Sequence, residues 1–142
     1  MTVAAILANR TGELITTQRD MLVREAVAIL AQRKIGALPV TEKERVIGVM
    51  SERDVIYCLA RDGAAILDWP VEKIMTSPAI TVEPERTVLA ALSLMTGRRI
   101  RHLPVVEDDR LIGIVSIGDL VKHRLDKIEE DAAQMLSYIQ SA

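Results

Sequence analysis

Arg101-His-Leu-Pro-Val-Val106, followed by Leu111-Ile-Gly-Ile-Val-Ser-Ile-Gly-Asp119, decides the fold, because the chain contains it twice. Ala37-Leu-Pro-Val40, Val46-Ile-Gly-Val-Met50 and Ser51-Glu-Arg-Asp54 fall onto it without a gap when Leu38 is laid on Leu103. Between residues 15–55 and 80–120, 15 of 41 pairs are identical: positions 15, 16, 23, 26, 33, 35, 38, 39, 40, 42, 45, 47, 48, 51 and 54 of the first copy. Such a repeat is one supersecondary unit that needs its neighbour to close a core.

Each copy predicts the order β-α-β-β-α. A short first strand is expected at Leu14 to Thr16 and again at Ile80 to Val82. Val23, Ala26, Val27 and Leu30, and then Val88, Ala91, Leu92 and Met95, follow the i, i+3, i+4, i+7 spacing of an amphipathic helix. Leu38 to Thr41 and Val46 to Met50 are apolar runs joined by the charged turn Glu42 to Arg45. Leu103 to Val106 and Leu111 to Val115 repeat them around Glu107 to Arg110. A second helix starts at Ser51 and at Ser116. The fold class is therefore α+β, divided into residues 1–69, with a short N-terminal helix, and residues 70–142, with a long C-terminal one.

Composition narrows the function. Eighteen basic and 20 acidic residues in 142 leave a net charge of -2, which gives no pull toward nucleic acid or anionic lipid. Tyr57, Trp69 and Tyr138 are the only aromatics, too few for a base-stacking platform. The lone Cys58 lies in an apolar stretch and is read as a buried small hydrophobe, which suits a reducing cytoplasm. Met1 to Arg10 has no basic leader and too short an apolar run for a signal peptide or a membrane span. Catalysis and metal binding find no foothold: His102 and His123 are the only histidines, with no zinc motif, no Gly-rich phosphate loop and no nucleophile elbow.

Past Asp119, the residues Val121, Leu125, Ile128, Ala132, Met135 and Ile139 are spaced 4, 3, 4, 3, 4, a heptad seam that needs a cover. Either the chain's own body or the same helix of a second chain supplies it, and the second option makes the protein a homodimer.

Ser51-Glu-Arg-Asp54 and Ser116-Ile-Gly-Asp119 each put a hydroxyl at a helix start and a carboxylate three residues on, the spacing of a capping box. The strand mouths differ between copies. Arg101-His102 in the second copy stands where the first has Gly36-Ala37, and strand alternation points Arg101 or His102 inward, where either suits a phosphate.

The duplicated Leu-Pro-Val, Ile-Gly-Val or Ile-Gly-Ile, and Ser-x-x-Asp motifs resemble the tandem CBS domain pair, the regulatory module named after cystathionine β-synthase. The resemblance spans residues 14 to 125. It implies two repeats packed through their sheets about a pseudo-twofold axis, with ligand clefts between them. An adenosine-containing nucleotide (AMP, ADP, ATP or NAD) is the implied ligand. Asp54 and Asp119 would accept the ribose hydroxyls, Ser51 and Ser116 would face the ribose-phosphate, and the base would meet backbone near Thr16 and Thr17 in one cleft and near Ile80 and Thr81 in the other. The family's lead-in segment is expected only before the second copy, as Val71-Glu-Lys-Ile-Met-Thr76; the first copy has Asn9-Arg-Thr-Gly-Glu13 in its place. A nucleotide sensor that informs an unidentified regulated protein is the implied role. Its rival is a constitutive scaffold subunit with vestigial clefts.

Overall fold

The computed structural model describes residues 1–141. In chain order the elements are helix α1 (Val3–Ala8), helix α2 (Val23–Arg33), the hairpin β1 (Ala37–Glu42) and β2 (Arg45–Ser51), and helix α3 (Glu52–Asp62). Two 3-10 turns follow, Gly63–Asp68 and Val71–Lys73. The second copy then supplies helix α4 (Val88–Arg98), the hairpin β3 (His102–Glu107) and β4 (Arg110–Ser116), and the 25-residue helix α5 (Ile117–Ser141).

The hairpins match residue for residue. Leu38 pairs with Met50 as Leu103 pairs with Val115, and each ladder shifts register at the same place, after Val40 and after Val105. The turns use Lys43 and Glu44, and Asp108 and Asp109, all at positive φ, the twist that a two-residue hairpin turn requires. Pro39 is tolerated within a strand because its carbonyl points away from β2 and accepts from the Thr17 amide (3.0 Å). Its missing N–H lies on that same side and costs the hairpin no bond.

The expected first strands are not regular strands. Each shrinks to a single parallel bridge, Thr17 to Val40 and Val82 to Val105. Two backbone bonds hold each bridge, and the preceding residues are left as extended, unpaired chain that lines a cleft.

Each half has its own core. Val23, Ala26 and Leu30 of α2 close against Leu38, Val40 and Met50. Val88, Ala91 and Met95 of α4 close against Leu103, Val105 and Val115. The two halves meet along β2 and β4, where the Leu111 amide donates to the Glu44 carbonyl (3.1 Å).

The lead-in segments cross between the halves. Val3 is fully buried in the second core, whereas Val71 and Ile74 are buried in the first. The Val71 amide donates to the Met21 carbonyl (2.8 Å) and the Glu72 amide to Arg19 (3.0 Å); the Val3 amide donates to Arg86 and the Ala4 amide to Pro84, both at 2.9 Å. Closing each set, the Val23 amide donates to Trp69 (2.9 Å) and the Val88 amide to Met1 (3.1 Å). Val3-x-x-Ile6-Leu7 is thus the counterpart of Val71-x-x-Ile74-Met75, three residues out of step with the repeat. The lead-in expected only before the second copy stands before both, and the residues after Ala8 absorb the offset.

Candidate functional site

Two clefts open between the halves. The first, of 510 Å³, lies over the start of α3 and contains Ser51, Asp54, Thr76, Ile80, Arg101 and His102. The second, of 650 Å³, lies over the start of α5 and contains Arg10, Ile15, Lys34, Ile114, Ser116 and Asp119. Both fall within the size range of small-molecule sites.

Strand-to-helix corners place the carboxylates. In the first copy Ser51 caps α3: its Oγ accepts from the Asp54 amide (3.3 Å), and Asp54 Oδ2 accepts from the Ser51 amide (2.8 Å). In the second, Ser116 Oγ accepts from the Asp119 amide (3.1 Å), and Asp119 Oδ2 accepts from the Ser116 amide (2.8 Å). Both capping boxes are therefore complete with Asp at the third position. Capping does not exhaust a carboxylate, which offers about four acceptor sites.

The remaining partners differ. Asp54 Oδ1 accepts from Thr76 Oγ1 (2.9 Å), tying the lead-in of the second copy to α3. Asp119 Oδ2 is paired with Arg10 Nη2 (2.6 Å), and the same guanidinium also donates to the Ile114 carbonyl. Each carboxylate thus holds a group from the chain that enters or leaves a lead-in segment.

Arg101 and His102 line both clefts, as do Gly36 and Glu52. Burial holds the His102 imidazole below its ordinary value, although the negative charges of Glu52 and Asp119 pull the other way. The ring therefore gives up its proton more readily than a free imidazole.

Three of the expected base-side residues lie elsewhere. Thr17 is 2% exposed, its Oγ1 donates to Met21 Sδ, and its amide and carbonyl are bonded to β1, leaving no free backbone for a base. Thr16 lines a separate hollow with Gln18 and Glu25, and Thr81 another with Glu83 and Arg86. Ile80 does line the first cleft, and Leu14 and Ile15 take the equivalent places in the second. The parallel bridges at Thr17 and Val82 fix this register, and in extended chain a one-residue step turns a side chain to the opposite face. Ala79 and Ile80 had their matches in Leu14 and Ile15 by the repeat spacing, a signal present in the sequence.

Among the described residues, no cluster of His, Cys, Asp and Glu is placed to hold a metal ion, and no helix is long and apolar enough to cross a membrane.

The family model "CBS domain" matches this chain twice, over residues 3–61 and 71–126. Among curated relatives, the mitochondrial CBS domain-containing protein CBSX3 of Arabidopsis thaliana is 37% identical, covering 91% of this chain and 65% of its own length. The CBS domain-containing protein YhcV of Bacillus subtilis is 28% identical, covering 96% and 95%. Among solved structures, a CBS-domain containing protein from Agrobacterium tumefaciens superposes with a TM-score of 0.81 at 38% identity, over 87% of this chain and 92% of that one. A CBS domain protein from Pyrobaculum aerophilum, complexed with AMP, gives 0.74 at 28%, over 84% and 89%. The CBS domain pair of protein MJ0100, in complex with 5′-methylthioadenosine and S-adenosyl-L-methionine, gives 0.78 at 27%, over 89% and 98%. A unit that matches the family in each of its two copies is a tandem pair, and the chain belongs to the CBS domain family.

Proposed function

We propose that this chain is a regulatory module that binds an adenosine-containing nucleotide (AMP, ADP, ATP or NAD(H)) in its two clefts and reports their occupancy to a regulated protein. The observation that carries this reading is the symmetric placement of Asp54 and Asp119, each at a helix start beneath a cleft that Arg101 and His102 also reach. A vicinal diol presents two donors to one ionised carboxylate, and the amides at a helix start favour the phosphate beside it. Ile80 in the first cleft and Ile15 in the second supply aliphatic surface for a base. The complexes of the Pyrobaculum protein with AMP and of MJ0100 with two adenosyl compounds support the same ligand class.

In the second cleft the ribose meets a carboxylate already paired with Arg10. Binding there exchanges or shares that ion pair, which couples occupancy to the segment between α1 and the first repeat. This is a binding role, with no chemistry asked of any residue.

A homodimer is the second part of the proposal. The seam is not covered within the chain: Leu125 is 54% exposed, Ile128 48%, Met135 61% and Ile139 62%. A twofold contact through α5 buries the same stripe on both chains.

The test is calorimetric titration with AMP, ADP, ATP, NAD and adenosine, with GMP as control, alongside thermal unfolding. A ligand at 100 times its dissociation constant adds about 2.7 kcal/mol of stability. Binding by adenosine ligands and not by GMP is expected. Absence of binding by all of them at millimolar concentration would favour the constitutive scaffold.

A further inference from the structure

The two halves differ at several matched positions around the clefts, Glu52 against Ile117 and Arg53 against Gly118 among them, and one adjacent pair of differences lies where the clefts meet. Arg101 and His102 line both clefts, and their counterparts by the repeat, Gly36 and Ala37, carry no charge. A Cβ on Gly36 would stand 2.6 Å from Glu52 Oε1 and 3.0 Å from His102 Cε1 and Nε2, so a larger residue at this wall would have to displace the ends of both side chains. The other cations are private to one cleft: Arg53 to the first, Arg10 and Lys34 to the second. Arg53 donates to the Arg99 carbonyl (2.7 Å), and Arg10 is paired with Asp119. Glu52 adds a negative charge to the shared wall.

We propose that the two clefts compete for a single phosphate-binding pair, Arg101 with His102, so that a phosphorylated nucleotide in one cleft weakens phosphorylated-nucleotide binding in the other and leaves an uncharged nucleoside there unaffected. This deepens the nucleotide-binding reading above and rests on it. A charge-assisted bond to a guanidinium is made to one phosphate or divided between two, and two phosphates across one wall also repel. Because coupling between sites is reciprocal, either cleft fills first and handicaps the other. Mixed occupancy, one phosphorylated and one uncharged adenosyl ligand, is the favoured full state.

The experiment is calorimetric titration of the full chain with AMP and, separately, with adenosine. The second AMP should bind about tenfold or more weakly than the first, within the usual range of site coupling. Adenosine should fill two sites without that gap, and Arg101→Ala should close the gap for AMP. Asp54→Ala and Asp119→Ala, each disabling one cleft, separate competition from two intrinsically unequal sites. Under competition, both variants retain one tight AMP site, because the surviving cleft has Arg101 and His102 to itself. Asp54→Asn and Asp119→Asn replace them if the alanine variants unfold. One variant retaining only the weak site, or wild-type chain filling both clefts with AMP equally and independently, overturns the inference and leaves the ligand class standing. Failure of wild-type chain to bind AMP or adenosine at all overturns the ligand class, and this inference with it.

Discussion

Met75 packs onto Gly48 so closely that a Cβ there would lie 2.7 Å from its sulfur. Leu7 meets Gly113 in the same way, with Cδ2 at 2.7 Å from the equivalent point. The Ile-Gly motif of each repeat is therefore a seat for the last apolar residue of a lead-in. The seats differ in one respect: at Gly48 the Thr76 carbonyl also stands 2.9 Å away, and it is backbone held by the bridge to Val49.

Gly48→Ala should accordingly cost more than Gly113→Ala. Overpacking a core costs about 1–3 kcal/mol, and only at Gly113 is the obstacle entirely a flexible side chain. Urea denaturation of both variants measures the difference. Equal losses would mean that the Thr76 backbone yields as readily as Leu7 does.

Removing either carboxylate should affect folding and binding by separable amounts. Asp54→Ala and Asp119→Ala each lose a capping box, about 0.5–2 kcal/mol of stability. If each accepts a ribose diol, nucleotide binding in its own cleft should fall by a further 1.5–3 kcal/mol or so. Calorimetry on variants shown to be folded separates the two, and undiminished affinity in both would remove the ribose assignment.

His102 makes stability depend on pH. Burial lowers its folded value below the ordinary imidazole value of about 6.5. The unfolded chain then takes up a proton at a higher pH than the folded one, so stability is complete above about pH 6.5 and is lost as pH falls through the lowered folded value. The melting temperature of wild-type protein should drop between pH 7.5 and 5.5, and His102→Gln should flatten that drop. An equal drop in the variant would assign the titration to another group.

Cutting the chain after Lys122 removes most of the exposed seam of α5. Side chains such as Leu125 and Ile128 gain about 1.5–3 kcal/mol each when fully buried, enough together to drive association. Light scattering over a dilution series should find the full chain dimeric and the shortened chain folded and monomeric. A shortened chain that stays dimeric would place the contact on the body of the molecule.

What was legible in the sequence was whatever depends on local pattern. The periodicity of Val23 to Leu30 and of Val88 to Met95 located α2 and α4, and the charged turns located both hairpins, because burial on one face leaves a period behind. The corners holding Asp54 and Asp119 followed from Ser-x-x-Asp before an apolar run. The first strands were not legible as they stand, since a lone parallel bridge has no period, and Thr16, Thr17 and Thr81 consequently line neither cleft while Ile15 and Ile80 do. The lead-in of the first copy escaped because the residues after Ala8 shift it three places off the repeat. Uncovering of the α5 seam depends on what packs against it, which spacing alone does not encode.

The exchange of lead-ins removes the independence of the two copies. Val71 and Ile74, which lead into the second repeat, fill the core of the first, and Val3, which leads into the first, fills the core of the second. A fragment consisting of residues 14–62 would present a core with its plug missing, and residues 80–141 would lack theirs. The duplication therefore behaves as a two-part lock, each half carrying the other's key, with the clefts at the joint. Heat or denaturant acting on one half should therefore open both, and the chain should melt in a single transition.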